Sequence, residues 1–298
     1  MFDNVIVGVN GLEGGRDAIA LGVELLSTGG RLTFASIYHS DPPMWLGLGA
    51  AYDEARREQA LGTLEHAARD MDVDARLCCL GSTSVGRGLH DLAQYEDADL
   101  VVVGSSSRGV VGRVLHGDDT RAALNGAPCA IAVAPAGYAQ QPHLLREIGV
   151  GYNGSPESEH ALRVARALAQ EHQARLSAFE AVSIPAIALG AGPAPVDEWT
   201  RDLLDEASRR VSALEDVEPH AVYGQASEEL AMFSASVDLL VVGSRGYGPV
   251  GRLIHGGTSQ ELARVARCPL LVLPRPDRAA HSPEEATVVE AASTVADA

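Results

Sequence analysis

Short apolar runs alternate along the chain with longer stretches in which apolar residues recur every three or four positions. Val5–Val9, Leu32–Tyr38, Ala75–Leu80, Leu100–Val103 and Ala130–Ala134 have the composition of strands, the most apolar of them covered on both faces of a parallel sheet. Between them Asp17–Ser27, Tyr52–Asp70, Leu89–Tyr95 and Thr120–Leu124 carry helical spacing, and Gly29-Gly30 ends the first of these. The order then recurs. Glu147–Tyr152, Leu176–Ala181, Val217–Tyr223, Leu239–Val242 and Leu270–Leu273 read as strands, and Asp197–Leu214, Ser227–Ala235 and Gln260–Ala266 as helices. Ser155-Pro156 opens another helix, with a capping hydroxyl and a proline at the first helical position. Ala161, Leu162, Ala165, Leu168 and Ala169 form its buried stripe. This alternation predicts an α/β fold of two tandem doubly wound, Rossmann-like domains, each with a five-stranded parallel sheet and right-handed crossovers.

The two halves are copies. Gly104 to Gly117 matches Gly243 to Gly256 at an offset of 139, and Cys129/Cys268 and Pro135/Pro274 keep that offset. Earlier, Val7-Gly8-Val9-Asn10-Gly11 matches Val150-Gly151-Tyr152-Asn153-Gly154 at an offset of 143. The extra residues of repeat 1 fall in Ser82–Gly88. Domains are expected over residues 1–140 and 145–276, joined by Ala136–Arg146, with residues 277–298 a disordered acidic tail without aromatics. The last strands of the two repeats are short, apolar and at sheet edges, so the repeats are expected to pair through them as an intramolecular pseudo-dimer, and a homodimer is a further option.

Composition narrows the chemistry. The net charge is −17, from 40 acidic and 23 basic residues, and every basic residue is Arg. The absence of Lys excludes Schiff-base chemistry and a Walker A loop. An acidic surface argues against nucleic acid and anionic membranes as partners. The opening residues lead straight into a strand, so a cytoplasmic location is expected. Cys78, Cys79, Cys129 and Cys268 have neither metal-ligand nor disulfide spacing and read as small packed residues; Cys78 and Cys79, adjacent on a strand, should face opposite ways.

The residues with the most chemistry follow the fourth strand of repeat 2. Val242 leads into Gly243-Ser244-Arg245-Gly246, nine residues intervene, and Gly256-Gly257-Thr258 precedes a helix. Glycines let a backbone approach an anion, and free N–H groups at a helix start point at it. For one such turn the plainer reading is a tight βα connection; its recurrence in a second copy favours a built feature. With that motif and the Val-Gly-Tyr-Asn-Gly-Ser-Pro opening, the chain resembles a tandem universal stress protein of the UspA family over roughly residues 1–276.

The resemblance implies an ATP site. Gly151, Tyr152 and Asn153 would flank adenine near Ala181; Val242, Gly243, Ser244, Arg245, Gly246, Gly256, Gly257 and Thr258 would hold ribose and phosphates, with Mg2+ accompanying the triphosphate. Four departures weigh on it. Asn10 and Asn153 stand where the family has Asp, Gly257 where it has Ser or Thr, Ser107 where it has the second glycine, and Asp118-Asp119 where it has Ser. Repeat 1 is therefore expected to be degenerate and repeat 2 competent. His116 and His255 recur beside Gly117 and Gly256, as phosphate neighbours or as packing residues. No acid, base and nucleophile set can be assembled, so the chain is read as a regulatory ATP-binding module, not an enzyme, with any hydrolysis slow and incidental. Two alternatives stay open: a nucleotide-free interaction protein keeping only the fold, and an ATP-using enzyme.

Overall fold

The computed structural model of the chain describes residues 1–11, 13–40, 49–105, 117–140, 144–183, 196–244 and 257–275. Repeat 1 runs β1 (Phe2–Gly8), α1 (Glu13–Leu25), β2 (Leu26–His39), α2 (Gly49–Met71), β3 (Arg76–Ser82), α3 (Val85–Tyr95), β4 (Leu100–Gly104), α4 (Gly117–Leu124) and β5 (Ala130–Ala134). A 3-10 turn, Tyr138–Gln140, lies in the linker. Repeat 2 runs β6 (Glu147–Gly151), α5 (Pro156–His172), β7 (Arg175–Val182), α6 (Val196–Ser212), β8 (Glu218–Tyr223), α7 (Ala226–Phe233), β9 (Leu239–Gly243), α8 (Gly257–Val265) and β10 (Leu270–Leu273).

The two five-stranded sheets are one. The strand order is β3-β2-β1-β4-β5-β10-β9-β6-β7-β8. Within each repeat every pair is parallel; at the join β5 and β10 run antiparallel, with Val133 opposite Leu270, Ala132 opposite Leu271 and Ile131 opposite Val272. The expected pairing of last strands is thus found, and it fuses the separate sheets into a ten-stranded one.

Both cores follow from this. On one face Val5, Val7, Leu100, Val102 and Ala132 of repeat 1 pack in one cluster with Val150, Val241 and Leu271 of repeat 2, under α1 and α5. On the other, Ile6, Val101 and Ile131 cluster with Leu240, Val242 and Val272, under Leu89 and Leu92 of α3, Ala123 and Leu124 of α4, Leu230 of α7 and Leu262 of α8. The strict alternation along β4 and β9 sends successive side chains to the two faces. Cys78 packs against the second cluster and Cys79 against the first, as adjacent strand residues must.

Polar ties hold the frame. The Asp99 carboxylate accepts the backbone N–H groups of Asp3 (2.7 Å) and Asn4 (3.1 Å), and Asp238 does the same for Arg146 (2.8 Å) and Glu147 (2.9 Å). Asp17, 4% exposed, accepts N–H from Gly137 (2.9 Å) and Ala139 (2.8 Å), which fixes the linker on α1. The Met1 ammonium meets Glu171 at 3.0 Å, and His172 lies 3.7 Å from Glu24, so α5 of repeat 2 is tied to repeat 1.

The helix start at Ser155-Pro156 and the buried stripe of α5 are as expected, with Ser155 Oγ accepting the Ser158 N–H at 3.2 Å. Boundaries shift at several elements, and two of the shifts have a local cause. The first helix ends at Leu25, not at the glycine pair, because Leu26 already pairs with Phe2 of β1. The third helix begins at Val85, capped by Ser84, not at Leu89. Its glycines are packing residues and not breakers: a Cβ on Gly86 would lie 2.5 Å from the Ala122 backbone, and one on Gly88 would lie 2.6 Å from Ile37. The tail expected over 277–298 lies outside the described residues.

Because the join is buried and its core is shared, Leu271→Ala should cost about 2–5 kcal/mol. Urea unfolding should show one transition before and after the change; two separated transitions would show that the repeats unfold independently.

Candidate functional site

Of the expected site residues of repeat 2, the described ones lie at or just past the carboxyl ends of β6, β7 and β9 and in the first turn of α8, the side of an open α/β sheet where ligands bind. Gly151 ends β6, and a Cβ there would sit 3.2 Å from Val242. Ala181 and Val242 belong to the α7–α8 face of the sheet, toward which Gly151 also opens. Arg245, Gly246 and Gly256 lie outside the described residues, as do Ser107 and His116 of repeat 1 and His255 of repeat 2.

Tyr152 and Asn153 are placed differently from the rest. Tyr152 continues the β6–β7 pairing, its N–H on the Phe179 carbonyl at 3.0 Å, and its ring turns to the α5 side. The phenol is buried and donates to the Glu159 carboxylate. Burial, then that hydrogen bond, pushes its pKa up to about 12. Asn153 is exposed, but its Oδ1 accepts the Ser155 N–H at 3.1 Å and its own N–H donates to Ser158 Oγ at 3.3 Å, the local turn bonding typical of Asn before Gly.

At the end of β9 the backbone closes on α5. A Cβ on Gly243 would stand 2.6 Å from the Glu157 carbonyl oxygen, so glycine is required for packing as well as for any ligand. Ser244 is 1% exposed; its N–H donates to the Leu273 carbonyl at 2.9 Å, and its buried hydroxyl has no hydrogen-bond partner among the described residues. Gly257 and Thr258 form the first turn of α8, and a Cβ on Gly257 would meet nothing within 4 Å. A side chain at Gly257 would thus find room among the described residues, and the free N–H groups of a helix start make that end positive.

Repeat 1 has the same frame with different chemistry. Ser105 N–H donates to Ala134 at 2.8 Å, as Ser244 does to Leu273. Thr120 Oγ1, nearly buried, donates to the Gly104 carbonyl at 3.1 Å and ties α4 to the end of β4. Helix α4 begins at Gly117, so Asp118 lies within its first turn.

Four residues at the repeat 2 site escape a motif-based reading. Arg275, two residues beyond β10, meets Glu157 at 3.3 Å beside the α5 turn that packs on Gly243. Arg210 of α6 reaches over the first βα turn to Glu180, which is 3% exposed. Burial raises the Glu180 pKa, and Arg210 opposes that rise. A comparison of the repeats was the available signal: Arg275 and Glu157 correspond to Ala136 and Gly14.

A model of the Universal stress protein family matches the chain twice, over residues 1–135 and 145–274. The chain belongs to the universal stress protein family. A universal stress protein of Mycobacterium tuberculosis is 25% identical over 283 residues, which are 90% of this chain and 96% of that one. A universal stress protein from Thermus aquaticus is 31% identical over 146 residues, 44% of this chain and 99% of its own length, so this chain holds two units of the kind that protein has once. The crystal structure of a universal stress protein from Archaeoglobus fulgidus shares the fold at 14% identity, with a TM-score of 0.60 over 92% of this chain and 97% of that one.

The thiols also separate. Burial pushes Cys129 and Cys268 up to about 12, whereas Cys78 and Cys79 are half-exposed and raised less far. Only the thiolate reacts, so at pH 8 iodoacetamide should label Cys78 and Cys79 of the folded protein well before Cys129 and Cys268. Peptide mass spectrometry checks the order; equal labelling of all four would contradict it.

Gly243 and Gly257 should respond differently to a side chain. Gly257→Ser should leave unfolding within about 0.5 kcal/mol of the parent. Gly243→Ala should cost about 1–3 kcal/mol through overpacking on Glu157. Chemical denaturation of both variants tests the contrast.

Proposed function

We propose that this universal stress protein is a regulatory module that binds ATP in repeat 2. The observation that carries the reading is the hydroxyl of Ser244, just after β9, which is buried and has no hydrogen-bond partner among the described residues. A buried hydroxyl without a partner costs about 1–3 kcal/mol, a debt that a polar ligand at this position removes. Gly243, Ser244, Gly257 and Thr258 would receive the phosphates, with Arg245, Gly246 and Gly256 completing the loop. Gly151, Asn153 and Ala181 would border the base, Tyr152 contributing its backbone alone. Among the described residues no three His, Cys, Asp or Glu side chains converge on a metal position, so Mg2+ is expected to arrive on the triphosphate. Its chemistry there is charge neutralisation. The role is read as regulatory because the sequence motifs supply no acid, base and nucleophile set.

Repeat 1 should stay empty. A carboxylate about 5 Å from a phosphate charge costs on the order of 3 kcal/mol per charge pair at an effective dielectric near 20, or roughly a hundredfold in affinity. The sequence offers Asp118 as that charge and Ser107 in place of a glycine; neither side chain is among those described. A cytoplasmic setting fits this role; no helix among the described residues is long and apolar enough to cross a membrane.

One observation favours the rival, a nucleotide-free interaction protein: the polar ends of Tyr152 and Asn153 are both engaged internally. Calorimetric titration with Mg-ATP separates the two. A stoichiometry near one, lost in Gly246→Val and raised towards two by Asp118→Ser with Ser107→Gly, is expected. No heat of binding and no nucleotide in the denatured protein would leave the interaction protein; two tight sites in the unmodified chain would overturn the assignment to repeat 2.

A further inference from the structure

The slot beneath the first βα turn is filled differently in the two repeats. The turn glycines are equivalent and both lie in the left-handed region, Gly11 at φ +72 and Gly154 at φ +74. A Cβ on Gly11 would meet Thr63 of α2 at 3.0 Å; a Cβ on Gly154 would meet Arg210 of α6 at 2.9 Å. The tips of Thr63 and Arg210 thus both reach beneath the turn, although along the helix Arg210 corresponds to Ala67, one turn beyond Thr63. Strand register aligns the partners beneath them. Ala35 pairs with Gly8 as Phe179 pairs with Gly151, so Ser36 corresponds to Glu180. Repeat 1 therefore has Ser and Thr where repeat 2 has a Glu–Arg pair.

The pair is built into the turn. Arg210 Nη1 bonds Glu180 Oε1 and lies 3.5 Å from the Asn153 carbonyl oxygen, while Nη2 donates to Glu206 at 2.9 Å. Glu180 is nearly buried, and its second oxygen has no partner among the described residues. A buried carboxylate is tolerated when a guanidinium neutralises it, and the planar fork fixes the direction in which that guanidinium points. Glu180 thereby anchors Arg210, and Arg210 spans from the α6 side of the sheet to the backbone of the turn that carries Asn153.

We propose that Arg210 is the positioning residue of the repeat 2 site, holding the Asn153–Ser155 turn in one conformation, and that repeat 1, with Thr63 beneath its turn, has no such guanidinium. Its consequence for ligand affinity rests on the nucleotide reading above; the hold on the turn does not. A fixed turn presents the Asn153 amide in one place, so binding does not have to select a minor conformer.

The test replaces the pair with the residues repeat 1 uses, Arg210→Thr with Glu180→Ser, which leaves no uncompensated buried charge. Hydrogen exchange of the Asn153, Gly154 and Ser155 amides, read by NMR on the millisecond scale, should quicken about tenfold while exchange in the β6 core is unchanged. The Mg-ATP dissociation constant should rise about tenfold if the competent turn falls to about a tenth of the population. Arg210→Lys, which keeps the charge next to Glu180 without the fork, should restore thermal stability but not slow turn exchange. The reciprocal graft, Ser36→Glu with Thr63→Arg, should slow exchange at Asn10 and Gly11, and it serves as the measurement if the first variant does not fold. Unchanged turn exchange in the folded double variant would overturn the proposal. So would quicker exchange with unaltered ATP affinity, for the positioning role. A parent protein that binds no ATP but shows the exchange differences would sink the nucleotide reading and leave the hold on the turn standing.

Discussion

The antiparallel pairing of β5 with β10 is the constraint on which the rest depends. A five-stranded parallel sheet with helices on both faces can close its own core, yet here each core cluster draws side chains from both halves of the chain. The join therefore creates more than an extra row of hydrogen bonds. It extends two apolar layers without interruption across ten strands and places α1 beside α5 on one side and α4 beside α8 on the other. Asp17 on the linker, Glu171 on the first residue and Glu24 beside His172 then fix the two halves in one arrangement.

Within that frame the repeats use their upper turns differently. Backbone geometry is held nearly constant, as the matching N–H bonds of Ser105 and Ser244 and the matching positive φ of Gly11 and Gly154 show. The side chains around it diverge. Repeat 2 gathers Arg210, Glu180, Glu157 and Arg275 around its turns, while repeat 1 has Ser36, Gly14 and Ala136 at the matching positions and Thr63 beneath its turn. Charge placed on an unchanged scaffold is how one fold comes to carry two different sites.

Much of this was legible from the chain. Strand and helix order, the Ser155-Pro156 start, the α5 stripe and the pairing of the last strands follow from apolar periodicity, cap chemistry and edge exposure, all local or repeat-based signals. What was hidden depends on neighbours distant in sequence. Gly86 and Gly88 look like helix breakers until Ala122 and Ile37 are seen pressed against them. Leu26 looks helical until Phe2 pairs with it. Gly243 and Ser244 are singled out by motif, as is Tyr152, whose ring turns inward to Glu159 because its position after β6 directs it to the α5 face. Arg210 belongs to no motif, and only three-dimensional proximity to Gly154 gives it meaning.

The strand that completes the join has a consequence for biosynthesis. β10 follows every other strand of the described chain, and its partner β5 is made more than a hundred residues earlier. While repeat 2 is still emerging from the ribosome, Ala130–Ala134 is an open, wholly apolar sheet edge. The nascent chain thus carries its stickiest surface for the whole time needed to translate its second half, and the last few residues of the fold are the ones that cover it.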